Sequence, residues 1–225
     1  MAFSFGKTVI TDGLIDYLDI INPSSYPGSG TTIYDLSRNN LSGSLVNGPT
    51  YDTTYGGNIT CDGVNDYIQL TDVNVTSFTV SVVYSPLAFD TNTATARYNS
   101  PFETDSGGIG SMFLRYNATN SSSSMVIANH NSGSFGQLQL AVTHSLNQVY
   151  DATITYNDTT KLVSAYFNGV FNNSLTFTTN LKYTGVKQLG YTFNCRIFNY
   201  RLYNRVLSTT EILQNYNAIK GRYGQ

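Results

Sequence analysis

The residues able to carry chemistry are few, and their scarcity is the first constraint. The 225-residue chain has only two glutamates, Glu103 and Glu211, two histidines, His130 and His144, and two cysteines, Cys61 and Cys195. Glycoside hydrolysis needs two carboxyl groups on one face, ~5–9.5 Å apart. Glu103 has one acidic neighbour at that kind of spacing, Asp105, in the turn-rich run Glu103-Thr-Asp-Ser-Gly-Gly108. An extended backbone would point the pair to one side, but the composition of the run reads as a solvated loop. No Gly-x-Ser-x-Gly elbow is present for a serine nucleophile. His130 and His144 sit among Asn, Ser and Thr, and read as hydrogen-bonded surface or edge residues. No catalytic set is therefore expected. Two cysteines cannot make a zinc site of the finger type. They read either as buried free thiols or as a pair brought together by the fold. Asp35 with Asn39 or Asn40, together with Asp62, are oxygen ligands suited to a structural calcium ion. Turn chemistry explains the same residues without one.

The elements that must position these groups are strands. Charged residues make up 12% of the chain, about half the usual share. Tyr, Phe, Asn, Ser, Thr and Gly take their place, a mixture that builds strands and tight turns. In Phe78–Tyr84 apolar residues alternate, with Phe78, Val80, Val82 and Tyr84 on one side and Thr79 and Ser81 on the other. Arg196–Leu207 alternates in the same way, with Phe198, Tyr200 and Leu202 sharing a face. Asn168-Gly169 separates two β-rich runs and suits the positive φ angles of a type I′ hairpin. One helix is expected near the C-terminus, over 208–220. Ser208 and Glu211 have capping-box spacing, Leu207 and Ile212 occupy staple positions, and Gly221 suits the stop. No linker or composition break divides the chain, so one all-β sandwich is the economical architecture.

Four segments carry a family resemblance. They are Gly13–Ser37, Cys61-Asp-Gly-Val-Asn-Asp-Tyr-Ile68, Val163-Ser-Ala-Tyr-Phe-Asn-Gly169, and Leu202-Tyr-Asn-Arg-Val-Leu-Ser208 with Glu211-Ile212. In this order they resemble the concanavalin A-like, laminin-G-like jelly-roll domains. Cys61 stands where that family usually has Phe, and Ile33 where Trp is common. The resemblance implies a two-sheet antiparallel jelly-roll sandwich over residues 13–225, with residues 1–12 as an N-terminal arm or edge strand. The Tyr-Pro-Gly-Ser-Gly insertion and the Asn-Tyr-Asn-Ala-Ile-Lys-Gly-Arg-Tyr ending resemble the version found in virion proteins of tailed phages.

That version implies a non-enzymatic virion component, a capsid decoration or surface-displayed attachment module that docks on capsid or tail proteins and forms a homo-oligomer. No signal peptide is read at the start, which fits assembly in a host cytoplasm. A glycan-binding adhesin for a cell surface is the alternative, and a glycoside hydrolase the third reading. Neither nucleic acid nor membrane insertion is expected.

Charge is segregated along the chain. Residues 1–160 hold four basic and thirteen acidic side chains; residues 161–225 hold eight basic and one acidic. The formal net charge of −2 thus conceals segments of −9 and +7. Either the two segments pair internally, or the basic one displays a docking face led by Arg201, Arg205, Lys220 and Arg222. Phe3 and Phe5 make the arm a second candidate docking element. Tyr, Asn, Ser and Thr are expected on outward loops, where they make broad contacts at little entropic cost.

Overall fold

A computed structural model of the chain describes residues 8–89, 100–104, 112–116, 125–131, 134–178, 180–181, 183 and 187–224. In chain order its strands are β1 (Leu14–Asp19), β2 (Thr32–Ile33), β3 (Gly43–Val46), β4 (Thr50–Asp52), β5 (Asn58–Asp62), β6 (Tyr67–Leu70), β7 (Phe78–Pro86) and β8 (Phe102–Thr104). There follow β9 (Met112–Tyr116), β10 (Met125–Asn131), β11 (Ser134–Gln139), β12 (Tyr150–Asn157), β13 (Leu162–Phe167), β14 (Val170–Thr176), β15 (Lys187–Leu189) and β16 (Asn194–Tyr203). The helix α1 spans Thr209–Ile219.

The strands form two antiparallel sheets. Sheet A has the order β14-β13-β12-β7-β16-β5-β4, and sheet B the order β11-β10-β9-β8-β15-β6-β3-β2. The ten-residue β16 pairs with β7 on one side and serves two partners on the other. Its first residues pair with β5, and its later ones with β1. The core lies between the sheets. On sheet B, Leu45, Ile68, Leu189, Phe102 and Leu114 stand side by side across five strands. Val80, Val82, Ile154, Tyr200 and Leu202 face them from sheet A, all almost fully buried.

Phe78, Val80, Val82 and Tyr84 line the core as their alternation requires. Their neighbours Thr79, Ser81, Val83 and Ser85 are buried as well, because a third layer covers the outer face of sheet A. Ile219 of α1 and Tyr223 of the following 3-10 turn pack with Val83, Val149 and Phe198, with Val9 against them. Ile212 packs with Tyr166, Tyr203 and Leu207, with Ile10 against them.

Asn168 (φ 50°) and Gly169 (φ 76°) make the hairpin between β13 and β14. Ser208 caps α1, and a complete capping box joins it to Glu211. Two local expectations are corrected. Phe198 does not share a face with Tyr200 and Leu202, because a bulge between Ile197 and Asn199 inserts one residue and turns Phe198 towards the helix. The stop is not at Gly221. Helical chain continues as a 3-10 turn over Lys220–Tyr223 and ends at Gly224, whose φ is 72°.

The tyrosines also depart from expectation. Nine are buried among the described residues, and only Tyr34 and Tyr55 are strongly exposed. Several place a hydroxyl on an internal partner. Tyr183 and Tyr200 bond to each other, and Tyr203 donates to Ile10 O at 3.0 Å. A buried ring with a paired hydroxyl fills volume as Phe would, at no cost in unmet polarity.

Candidate functional site

The outer face of sheet B gathers polar groups that no single strand would reveal. Beside the core-facing row runs a second one, in register: Ser44 of β3, Gln69 of β6, Gln188 of β15 and Glu103 of β8. Strands lie ~4.8 Å apart, so the four positions form a line on the order of 14 Å long. The register continues through Phe113, Ala128 and Gln137. Ser44 is exposed, Gln69 and Gln188 are half-buried, and Glu103 is 4% exposed. Gln69 Nε2 donates to the carbonyls of Leu70 and Lys187, at 3.0 and 3.1 Å. Those bonds fix the amide across the β6–β15 seam.

Two residues before Gln69, and so on the same face, stands Tyr67. Its ring meets that of Tyr191 edge-on, with centroids 5.6 Å apart. Tyr191 follows Gly190, whose φ of 77° turns the chain out of β15. Aromatic faces beside amides and a hydroxyl make a surface with both donors and acceptors and no net charge, while Glu103 lies buried at the end of the row. Such a set suits a neutral, hydroxyl-rich ligand.

Glu103 is not the solvated loop acid expected from its sequence. It lies in the middle of a strand, paired with Gln188 and Phe113. Its proposed acidic partner, Asp105, lies outside the described residues. The positions beside it on the row are Phe113 on one side and Gln188, then Gln69 and Ser44, on the other, whereas glycoside hydrolysis needs a second carboxyl group.

The basic residues expected on a docking face are mostly occupied within the fold. Arg201 is corrected outright: it is fully buried, and its Nη2 donates to Asp151 Oδ2 at 2.8 Å beneath α1. The bulge in β16 and the helix above it put this position inside. Arg222 grips Asp19 with both nitrogens, at 2.8 and 2.9 Å. Arg205 holds Glu211 through two bonds, at 3.1 and 2.6 Å, and pairs with Asp12 at 2.9 Å. Its guanidinium pulls the Glu211 carboxyl down to about 2. Lys187 pairs with Asp72 at 2.6 Å. With Lys161, which pairs with Asp158 at 3.1 Å, five cations of the basic segment meet acids of the first 160 residues, which is the internal-pairing alternative. Lys220 lies over the Tyr216 ring at 5.2 Å. Phe3, Phe5 and the first seven residues lie outside the described residues.

The calcium candidates Asp35, Asn39 and Asp62 each hold hydrogen bonds within the chain. Asp35 Oδ1 accepts from the amides of Tyr17 and Ser37, and Oδ2 from Ser37 Oγ and the amides of Asn39 and Leu41. Five protein donors thus converge on that carboxylate, as turn chemistry requires. Asn39 bonds Ile15 O and Ser37 Oγ, and Asp62 closes an Asx turn on Val64 and Asn65. Among the described residues no group of three His, Cys, Asp or Glu side chains could hold a metal ion. His144 is buried rather than at the surface, 4.1 Å from the Tyr150 ring, with Nε2 2.9 Å from Tyr84 Oη. The side chain of His130, on β10, lies outside the described set.

Residues 62–213, more than half of the chain, match the laminin G family described as the concanavalin A-like lectin/glucanases superfamily. The chain belongs to that superfamily. No curated protein matches it. Among solved structures it is similar to the binding domain of Paraclostridial Mosquitocidal Protein 1 (TM-score 0.69, 17% identity, 92% of this chain and 52% of that one). It is equally similar to the botulinum neurotoxin serotype D binding domain (0.69, 17%, 92% and 52%). Trypanosoma rangeli sialidase in complex with sialic acid gives 0.65, with 14% identity over 95% of this chain and 34% of that one. The chain therefore spans about half or less of the proteins it resembles, and at these identities the likeness is one of fold.

Proposed function

We propose that this domain is a non-catalytic, lectin-like attachment module displayed on a tailed-phage particle, and that it meets a neutral glycan through the outer face of sheet B. The observation that carries the binding reading is the in-register row Ser44–Gln69–Gln188–Glu103, flanked by Tyr67 and Tyr191. Amides and hydroxyls exchange hydrogen bonds with sugar hydroxyls, and the rings offer apolar surface to sugar C–H groups. Two of the similar structures are toxin binding domains, which supports a binding role for this fold. The particle context rests on the sequence resemblance of the proline-glycine insertion and the closing segment. Docking on a capsid or tail protein, and self-association, belong to the same proposal.

A glycan array probed with the purified chain tests the binding reading. Saturable retention that free sugar competes away supports it, provided Gln188→Ala abolishes retention without lowering the melting temperature. Retention of no glycan overturns it. Turnover of a polysaccharide that Glu103→Gln abolishes would overturn the non-catalytic part. Peptide mapping of purified particles tests the display, and its absence from them would sink that part alone.

A further inference from the structure

Cys61 and Cys195 stand directly opposite each other in the β5–β16 pairing, 134 positions apart in sequence. Both are free thiols, and both are 0% exposed. Their sulfurs share one small space under Gly190. A Cβ placed on that glycine would stand 2.7 Å from Cys61 Sγ and 3.5 Å from Cys195 Sγ. A chain that needed only apolar filler here has Val, Ile and Leu in plenty. Two thiols in register, with a glycine cleared above them, form a preassembled dithiol.

We propose that this pair is a redox latch: a small hydroperoxide closes a Cys61–Cys195 disulfide that ties β5 to the central strand β16, and a thiol reductant opens it. The chemistry balances with hydrogen peroxide as the oxidant. The Cys61 sulfur attacks one peroxide oxygen, the O–O bond breaks, and a sulfenic acid and one water form. The Cys195 sulfur then attacks the sulfenic sulfur, the S–S bond forms, and a second water leaves. Two thiols and one peroxide become one disulfide and two waters, the two electrons passing from sulfur to oxygen. Burial, and then the neighbouring Cys61, push the Cys195 thiol well above its ordinary range, so the closed site holds little thiolate and the second step, like the first, waits on opening of the strand pair.

Full burial makes entry the slow event. β5 is followed at the sheet edge only by the three-residue β4, so local opening of that edge is the route to the sulfurs. The latch therefore closes slowly in the folded chain, and faster when mild urea loosens the edge. Closure fixes two strands from opposite ends of the sequence, and constraint of so long a loop raises thermal stability.

The test is peroxide treatment of the whole chain, followed by peptide mapping, gel analysis and thermal melting. The expected result is a cross-link between the Cys61 and Cys195 peptides within one chain, with no disulfide between chains. That chain's melting temperature rises by several degrees and returns on adding dithiothreitol. Cys61→Ala and Cys195→Ala chains are expected to show no peroxide-dependent rise. Two free thiols after prolonged treatment, separate sulfinic acids, cross-links between chains, or an unchanged melting temperature in the cross-linked form would each overturn the latch.

Discussion

Arg201 and Asp151 form an ion pair with both partners out of solvent, Nη2 to Oδ2 at 2.8 Å, between sheet A and the helix that covers it. Ser81 extends it, bonding Asp151 Oδ1 at 2.9 Å and accepting from Arg201 at 3.2 Å. A sandwich usually leaves one face of such a sheet to water; here the chain's own C-terminus lies on a charged platform. Removing one partner strands the other. Arg201→Met is expected to cost about 3–5 kcal/mol, and the double variant Arg201→Met with Asp151→Leu to recover much of it. Urea denaturation of the three chains measures the difference, and additive losses would show that the pair is not coupled.

Asp16 sits 2% exposed, with its Oδ1 unbonded. Burial, and then the nearby Asp35 charge, raise its carboxyl from 3.8 to about 8, while Lys187 opposes the shift. Tyr183 and Tyr200 are the other titratable groups facing it. Between about pH 4 and about pH 8 the folded chain keeps a proton that the unfolded chain releases, so this group makes stability fall as pH rises through that window. Asp16→Asn is expected to flatten the slope, as read from denaturation midpoints at the two ends of the window. An unchanged slope would assign it to other groups.

The cap of α1 joins Ser208 to Glu211, and Glu211 in turn to Arg205. Ser208→Ala is expected to cost about 1 kcal/mol, a fall of roughly 2–4 °C in melting temperature for a chain of this size. Glu211→Gln removes the ion pair as well. Because the Glu211 carboxyl lies lower when folded, its contribution is present above about pH 4.5 and is lost as pH falls towards about 2. A thermal melt in mild acid distinguishes the two variants, since only Ser208→Ala keeps that acid loss.

Gly169 holds φ 76°, and a Cβ there would stand 3.0 Å from Tyr216 Cβ and 3.1 Å from Leu213 Cδ1. Gly169→Ala is expected to cost about 1–2 kcal/mol from backbone strain alone, with the contact to α1 adding to it. The same change at Gly30 also has positive φ, but nothing lies within 4 Å. Comparing the two variants by urea denaturation separates strain from crowding.

On the outer face of sheet B, Tyr191→Ala is expected to weaken glycan retention about three- to tenfold, the value of one aromatic contact. Titration calorimetry with the best array ligand measures it. Equal affinity would place the sugar elsewhere on the domain.

The sequence announces features held by neighbours along the chain. The Asn168-Gly169 turn needs only positive φ, and the Ser208–Glu211 cap only a spacing of three. The burial of Arg201 and the turning of Phe198 depend on a bulge and a covering helix, which alternation within β16 does not encode. The row Ser44–Gln69–Gln188–Glu103 is invisible for a related reason. Its members come from four separated segments, and only the strand pairing sets them abreast. Among the basic residues the charge segregation was legible, but whether it faced inward required the sheet order that brings β16 beside β1, β7 and β5.

That order also decides how the domain can be mounted. Thr8 O accepts from Gln214 of α1 at 3.0 Å, and Gly224 ends the 3-10 turn that continues the helix. The described chain therefore enters and leaves on the same side, behind sheet A. A support that gripped the chain at Thr8 or at Gly224 would therefore lie behind sheet A, opposite the sheet that carries the glutamine row. A circularly permuted chain, its ends bridged across α1, would leave that row untouched.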